Sequence, residues 1–269
     1  MKRSGSSRPQ GLQTIYGLHA VRLMLQKHPG RVSALRVAER RDDPRVRELD
    51  ELARRRQIAV HRVDSAALKQ TLGDVSHQGV AADIEPLPPW SEDDLLAAVQ
   101  AAAEASQGSN EGSPKASQAP LILALDGVQD PHNLGACLRT ADACGALAII
   151  VPRDRAAHVT PVVRKVAVGA ADTTPVVPVT NLVRTLRLLK DAGLWVIGAD
   201  ADGAKRAHEV DLRGAVVLVL GAEGSGLRHL TRQNCDWMVR LPQLGAVESL
   251  NVSVAAGMLL YEAVRQRGA

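Results

Sequence analysis

From residue 121 onward the chain alternates short, nearly continuous apolar runs with longer stretches whose apolar residues recur every three or four positions. The runs at 121–125, 148–151, 176–179, 194–199, 216–220 and 238–241 have the length and the Val, Leu and Ile content of buried strands. The stretches at 134–144, 161–170, 182–192, 227–233 and 250–266 carry helical spacing. Strands separated by helices predict an α/β domain with a mostly parallel sheet covered on both faces. In such sheets ligands sit beyond the carboxyl ends of the strands, which directs attention to the turns that follow them.

Ahead of this domain the same pattern runs on a smaller scale. Ile15, Leu18, Val21, Leu23 and Leu25 predict a helix ending near Pro29 and Gly30, followed by a strand at 34–38. Val46, Leu49 and Leu52 mark a second helix, 58–63 alternates as a half-buried strand does, Leu68 and Leu72 suggest a short helix, and 79–84 closes the unit as a strand. Pro86, Pro88 and Pro89 then interrupt regular structure, 92–105 is an Ala-rich helical stretch, and 106–120 is rich in Ser, Gly, Pro and Asn. The organisation read from these shifts is a disordered basic tail at 1–13, a small α/β domain at 14–85, a flexible linker at 86–119 and the larger α/β domain at 120–269.

Composition changes this picture in two respects. Hydrophobic residues make up 45% of the chain but aromatics only 2%, with no Phe, so the cores are built from Leu, Val, Ala and Ile. The net charge is +4 and arginine predominates over lysine, which suits planar contacts to phosphate. Arg40, Arg41, Arg54, Arg55 and Arg56 lie outside the apolar positions of the first domain. They read equally as an RNA-binding face and as a solvated surface. Tyr16 is the only Tyr of that domain and Trp90 the nearest Trp, so recognition by shape and backbone is favoured over stacking of bases. Cys137, Cys144 and Cys235 form no C-x-x-C pair, so neither a disulfide framework nor a metal site is indicated. The basic N-terminus precedes no apolar signal region and no long uncharged apolar run occurs, so the expectation is a cytoplasmic protein without a membrane partner.

Three turns carry candidate chemistry. After the strand at 121–125, Asp130, Pro131, His132 and Asn133 form a turn-and-cap signature, with Arg139 further along the same helix and about 120° around it from Asn133. His132 reads as a turn residue rather than a base, and Cys137 and Cys144 as packing residues. The second turn, Gly221, Ala222, Glu223, Gly224, Ser225 and Gly226, lets backbone approach a ligand closely. Its glycine order is not that of a dinucleotide-binding unit, and Glu223 would repel a pyrophosphate. In the third, Glu248, Ser249 and Asn251 precede a long apolar helix, which Ser249 or Asn251 can cap.

Taken in order, N-L-G-x-x-x-R-T-A at 133–141, L-G-A-E-G-x-G at 220–226 and L-P followed by E-S-L-N-V-S-V-A at 241–255 closely resemble the three motifs of the SpoU/TrmH group of SPOUT methyltransferases. Y-G-L-H-A-V at 16–21 and H-Q-G-V-A-A at 77–82 resemble the ends of the ribosomal-protein-like (L30e/L7Ae-like) RNA-binding module of the 23S rRNA guanosine 2'-O-methyltransferases in that group. The resemblance implies a SPOUT catalytic domain with a deep trefoil knot, S-adenosylmethionine as cofactor, an obligate homodimer formed through the C-terminal domain, and 23S rRNA, at the peptidyl-transferase P loop, as substrate. It carries over Asn133, Arg139, Glu223, Ser249 and Asn251 as catalytic-site residues, and Leu220, Gly221, Gly226, Leu241 and Leu250 as cofactor contacts. Gln243 and Leu241 depart from the Met and Ile usual in the third motif, so the cofactor wall is expected to differ there. Methylation of tRNA or another rRNA nucleotide, or a non-catalytic assembly role, are the alternatives.

Overall fold

The structure, a computed structural model, describes residues 12–73, 75, 77–86, 89–107, 119–246 and 249–268. The chain divides into two compact units, residues up to 88 and from 89 onward. The tail expected at 1–13 falls almost wholly outside the described residues, as do Glu248 and the centre of the Ser/Gly/Pro run, 108–118.

The first unit is a four-stranded sheet among the described residues, in the order β1 (Gln13–Tyr16), β4 (Val80–Ile84), β2 (Val32–Ala38), β3 (Ala59–Val63). β4 runs antiparallel to both β1 and β2, and β3 runs parallel to β2. Its helices are α1 (Leu18–Lys27), α2 (Pro44–Arg55) and α3 (Ser65–Leu72). Here the pattern reading needs correction. Ile15 belongs to strand β1 rather than to the first helix, because Gly17, at φ +91°, breaks the chain between them. Met24, fully buried, takes the core position that the spacing had given to Leu23.

The second unit is a seven-stranded sheet among the described residues. Its order is β7 (Val176–Val179), β6 (Ala148–Pro152), β5 (Leu121–Asp126), β10 (Val216–Gly221), β8 (Trp195–Ala199), β11 (Trp237–Arg240), β9 (Lys205–Arg206). Every neighbouring pair is parallel. Alternate residues of the central strands serve opposite faces. Leu121, Leu123 and Leu125, with Val216, Leu218 and Leu220, pack beneath α5 (Pro131–Ala143), α6 (Pro161–Ala167) and α9 (Val252–Gln266). Ile122, Ala124, Val217 and Val219 face α4 (Glu92–Gln107) and α7 (Leu182–Asp191), and α8 (His229–Gln233) follows β10. Burial on both sides explains why these strands read as unbroken apolar runs. Helix α4 lies inside the 86–119 stretch and places Leu95 and Val99 in this second core. No helix among the described residues is long and apolar enough to cross a membrane.

Two strands enter late. β10 adds between β5 and β8, and β11 between β8 and β9, so the turns after β5, β10 and β11 open toward one edge of the sheet.

Candidate active site

Each of the three turns delivers one polar side chain to a common point. Asp130 is the N-cap of α5 and its carboxylate accepts from His132 N at 2.9 Å, with Pro131 in the first helical position, where a missing amide costs nothing. That start fixes Asn133 in the first turn, where it is 8% exposed. Asn251 is the N-cap of α9, its Oδ1 accepting from Ser253 N at 2.9 Å and Ser253 Oγ at 2.6 Å. The cap therefore belongs to Asn251; Ser249 is exposed and stands outside the network.

Glu223 joins the two asparagines. Its Oε1 accepts from Asn251 Nδ2 at 2.5 Å, Asn133 Nδ2 at 3.3 Å and Val252 N at 3.4 Å. Asn251 Nδ2 also donates to Asn133 Oδ1 at 2.9 Å. The carboxylate thus holds together three segments that are remote in sequence.

The glycines in the second turn are needed by the turn itself. A Cβ on Gly221 would lie 2.0 Å from the carbonyl carbon of Gly226, whose amide donates to Ala222 O at 2.9 Å. Gly224 and Gly226 have φ of +76° and +62°, a region that side chains avoid. The close approach at Gly221 is therefore between two arms of one loop, and it shapes the surface that a ligand meets.

Two cavities open at this edge. One, of about 420 Å³, is lined by Asp126, Asn133, Arg155, Glu223, Gly226 and Arg228 among others; the second, of about 510 Å³, is lined by Ala201, Arg206, Arg240, Leu241, Pro242 and Gln243 among others. Of the residues expected to contact a cofactor, Gly226 borders the first cavity and Leu241 the second. Leu220 is buried in the core, while Gly221 and Leu250 are half-buried. Asp126, Arg155 and Arg228 escaped the sequence reading. A carboxylate ending an apolar strand was the one available signal, for Asp126.

Arg139 is exposed on α5 and, among the described residues, its side chain makes no hydrogen bond or ion pair. Glu223 therefore bonds the two asparagines and not this arginine. Burial pushes the Cys137 and Cys235 thiols up to about 12 and raises Cys144 too, which leaves none of the three suited to act as a nucleophile. Among the described residues no cluster of His, Cys, Asp and Glu is arranged to hold a metal ion.

In the first unit, Arg40, Arg54 and Arg56 are exposed, and Arg55 lies 3.8 Å from Glu51. Arg41 is engaged locally, its guanidinium donating to Asp43 and to Gln78 O at 2.7 Å each.

The site is thus a polar network that links three strand-end loops of a parallel sheet. Residues 120–261 match the SpoU rRNA Methylase family and residues 14–90 the RNA 2'-O ribose methyltransferase substrate binding family. The chain belongs to the SpoU rRNA methylase family. It is 49% identical over 261 residues to the 23S rRNA (guanosine-2'-O-)-methyltransferase RlmB of Pseudomonas syringae pv. tomato, covering 96% of this chain and 97% of that one. To the protein of the same name from Pseudomonas aeruginosa it is 50% identical over 255 residues, covering 95% and 97%. Among solved structures it is similar to the SpoU methyltransferase AviRb of Streptomyces viridochromogenes in complex with AdoMet, with TM-score 0.67, 26% identity and coverage of 96% and 91%. The A. aeolicus TrmH/SpoU tRNA modifying enzyme aligns with TM-score 0.51 and 28% identity, over 65% of this chain and 84% of that one.

Proposed function

We propose that this chain transfers a methyl group from S-adenosylmethionine to the ribose 2'-hydroxyl of a guanosine in 23S rRNA. The observation that carries the reading is the Asn133–Glu223–Asn251 network, which unites three motif loops in a chain whose 23S-acting relatives align with it from end to end. The tRNA modifying enzyme leaves a third of this chain unmatched, which favours ribosomal over transfer RNA.

The residues present fit this cofactor. The 510 Å³ cavity offers apolar Ala201, Leu241 and Pro242 to an adenosine, with Gln243, Arg206 and Arg240 as polar groups in its wall, and Gly226 keeps side-chain bulk out of the neighbouring cavity. Bound there, S-adenosylmethionine supplies an electrophilic methyl group on a sulfonium. The protein's part is to hold the 2'-oxygen in line with it and to favour the ionised hydroxyl. Arg139 is a permanent cation and so stabilises the developing alkoxide and an adjacent phosphate rather than accepting a proton. Its lack of partners among the described residues leaves every guanidinium donor free for that task. Asn133, Glu223 and Asn251 position the loops around it, and Ser249 flanks them.

The finer features follow from the same reading. The late insertion of β10 and β11 supports a chain threaded as a trefoil knot, and the strand order of the first unit supports a ribosomal-protein-like module presenting Arg40, Arg54, Arg55 and Arg56 to RNA, with Arg41 bracing its loop. Val254, Met258 and Tyr261 form an exposed apolar stripe on α9, at 48%, 50% and 67% exposure, that a second copy of the chain would cover. We assign the methylated guanosine to the peptidyl-transferase P loop. Mapping 2'-O-methyl groups in 23S rRNA from cells lacking this chain tests the reading. One guanosine in that loop should lose its methyl group and regain it on complementation; an unchanged 23S map would overturn the proposal.

A further inference from the structure

The 420 Å³ cavity contains two arginines that the proposed chemistry does not use. Asp126, the last residue of β5, is buried with a side chain at 0% exposure. Its Oδ2 accepts from Arg228 N at 3.0 Å, and its Oδ1, which has no hydrogen-bond partner, lies 3.5 Å from Arg228 Nε. A buried carboxylate that grips both the backbone and the side chain of one arginine fixes the direction of its guanidinium. Gly127, at φ +82°, makes room for it, since a Cβ there would stand 3.1 Å from Arg228 Nη2. The Arg228 side chain stays half exposed.

Arg155 reaches the same cavity from the loop after β6. It is exposed at φ +55°, without a hydrogen bond or ion pair among the described residues, and Ala157 N donating to Val128 O at 2.8 Å ties that loop to the cavity wall. Three carboxylates also line the cavity, and each is engaged: Asp126 is paired with Arg228, Asp130 caps α5, and the Glu223 oxygen that would otherwise repel an anion accepts from three donors. The cationic donors that face the cavity are those of two guanidinium groups from separate loops.

We infer that Arg228 and Arg155 form an oxyanion subsite that takes a backbone phosphate of the RNA beside the nucleotide being methylated. The inference rests on the function proposed above. A carboxylate, such as that of the cofactor's amino-acid end, shares the chemistry, and the test separates the two.

Binding of an unmodified 23S rRNA transcript is measured between about 50 and 200 mM salt for the wild type, Arg155→Gln and Arg228→Gln, with S-adenosylhomocysteine affinity determined alongside. Each substitution should weaken RNA binding and reduce the salt slope by about one, leaving the S-adenosylhomocysteine affinity within about twofold. Arg155 is exposed, so Arg155→Gln keeps the test valid if Arg228→Gln unfolds. Unchanged salt slopes overturn the subsite, as does an approximately tenfold loss of S-adenosylhomocysteine affinity with RNA binding intact, which would hand the arginines to the cofactor. A wild type that methylates the transcript while the variants keep their slopes sinks this inference alone, whereas a wild type that neither binds nor methylates it sinks the functional reading as well.

Discussion

Asn251 Nδ2 donates to Asn133 Oδ1 at 2.9 Å across 118 positions of sequence, and Glu223 Oε1 accepts from both side chains. The cap of one helix and the first turn of another are thereby locked to the glycine turn. Asn133→Ala removes a buried amide and strands its partners, which should cost about 1–3 kcal/mol in urea unfolding and weaken S-adenosylhomocysteine binding. Asn133→Asp should be worse near neutral pH, because it sets a second carboxylate beside Glu223. The gap between the two variants should close as pH falls and one acid of the pair takes a proton. Equal stability of the Asn133→Asp variant and the wild type at about pH 7 would mean that the network contributes nothing to holding the three loops together.

The glycine turn makes a steric prediction. Gly221→Ala puts a methyl group 2.0 Å from the Gly226 backbone, so the turn must open. Overpacking of this kind typically costs about 1–3 kcal/mol, and loss of cofactor binding should accompany it. Gly214→Ala is the control, because a Cβ there meets nothing within 4 Å. Similar melting temperatures and cofactor affinities for the two variants would remove the steric role assigned to Gly221.

How far the sequence reached can be judged from these same residues. Unbroken runs such as 121–125 and 216–220 mark strands buried on both faces, and the pattern finds them because both faces are apolar. Their order does not follow, since nothing in the residues of β10 says that it enters between β5 and β8. The edge strand β1 merges with the following helix in the pattern because it is four residues long with only Ile15 buried, and β9, two residues long, is too short to leave a pattern. Asn133, Glu223 and Asn251 were singled out by resemblance to family motifs, whereas nothing in the residues said that their side chains would bond one another. The pair Asp126 and Arg228, 102 residues apart, is visible only in three dimensions.

At the C-terminal end of the fold, Glu262 accepts from Arg265 Nε and Nη2 and from Gln266 Nε2, each at 2.8 Å, and Gln266 in turn bonds Val210 O and Leu212 N. The Arg265 hydrogen bonds hold the Glu262 carboxyl down at about 2. A folded-state value below the ordinary carboxylate range near 4.3 means stability that is present above about pH 4.5 and lost as pH falls toward about 2. Glu262→Gln should therefore be less stable than wild type at about pH 7, and the difference should shrink at about pH 3. A difference in thermal unfolding that is constant with pH would show that the charge is not the source.

The exposed stripe of Val254, Met258 and Tyr261 makes the proposed dimer testable. Met258→Glu leaves the buried face of α9 untouched, so the chain should fold with wild-type circular dichroism yet sediment as a monomer. Sedimentation as a dimer after this change would place the interface elsewhere.

The most incisive measurement is transfer of a labelled methyl group from S-adenosylmethionine to unmodified 23S rRNA, followed by digestion to nucleosides. The label should appear in 2'-O-methylguanosine, and Arg139→Ala should lower its appearance by about 100-fold or more while still binding S-adenosylhomocysteine. Label on a base, no label at all, or wild-type transfer by Arg139→Ala would contradict the proposed chemistry.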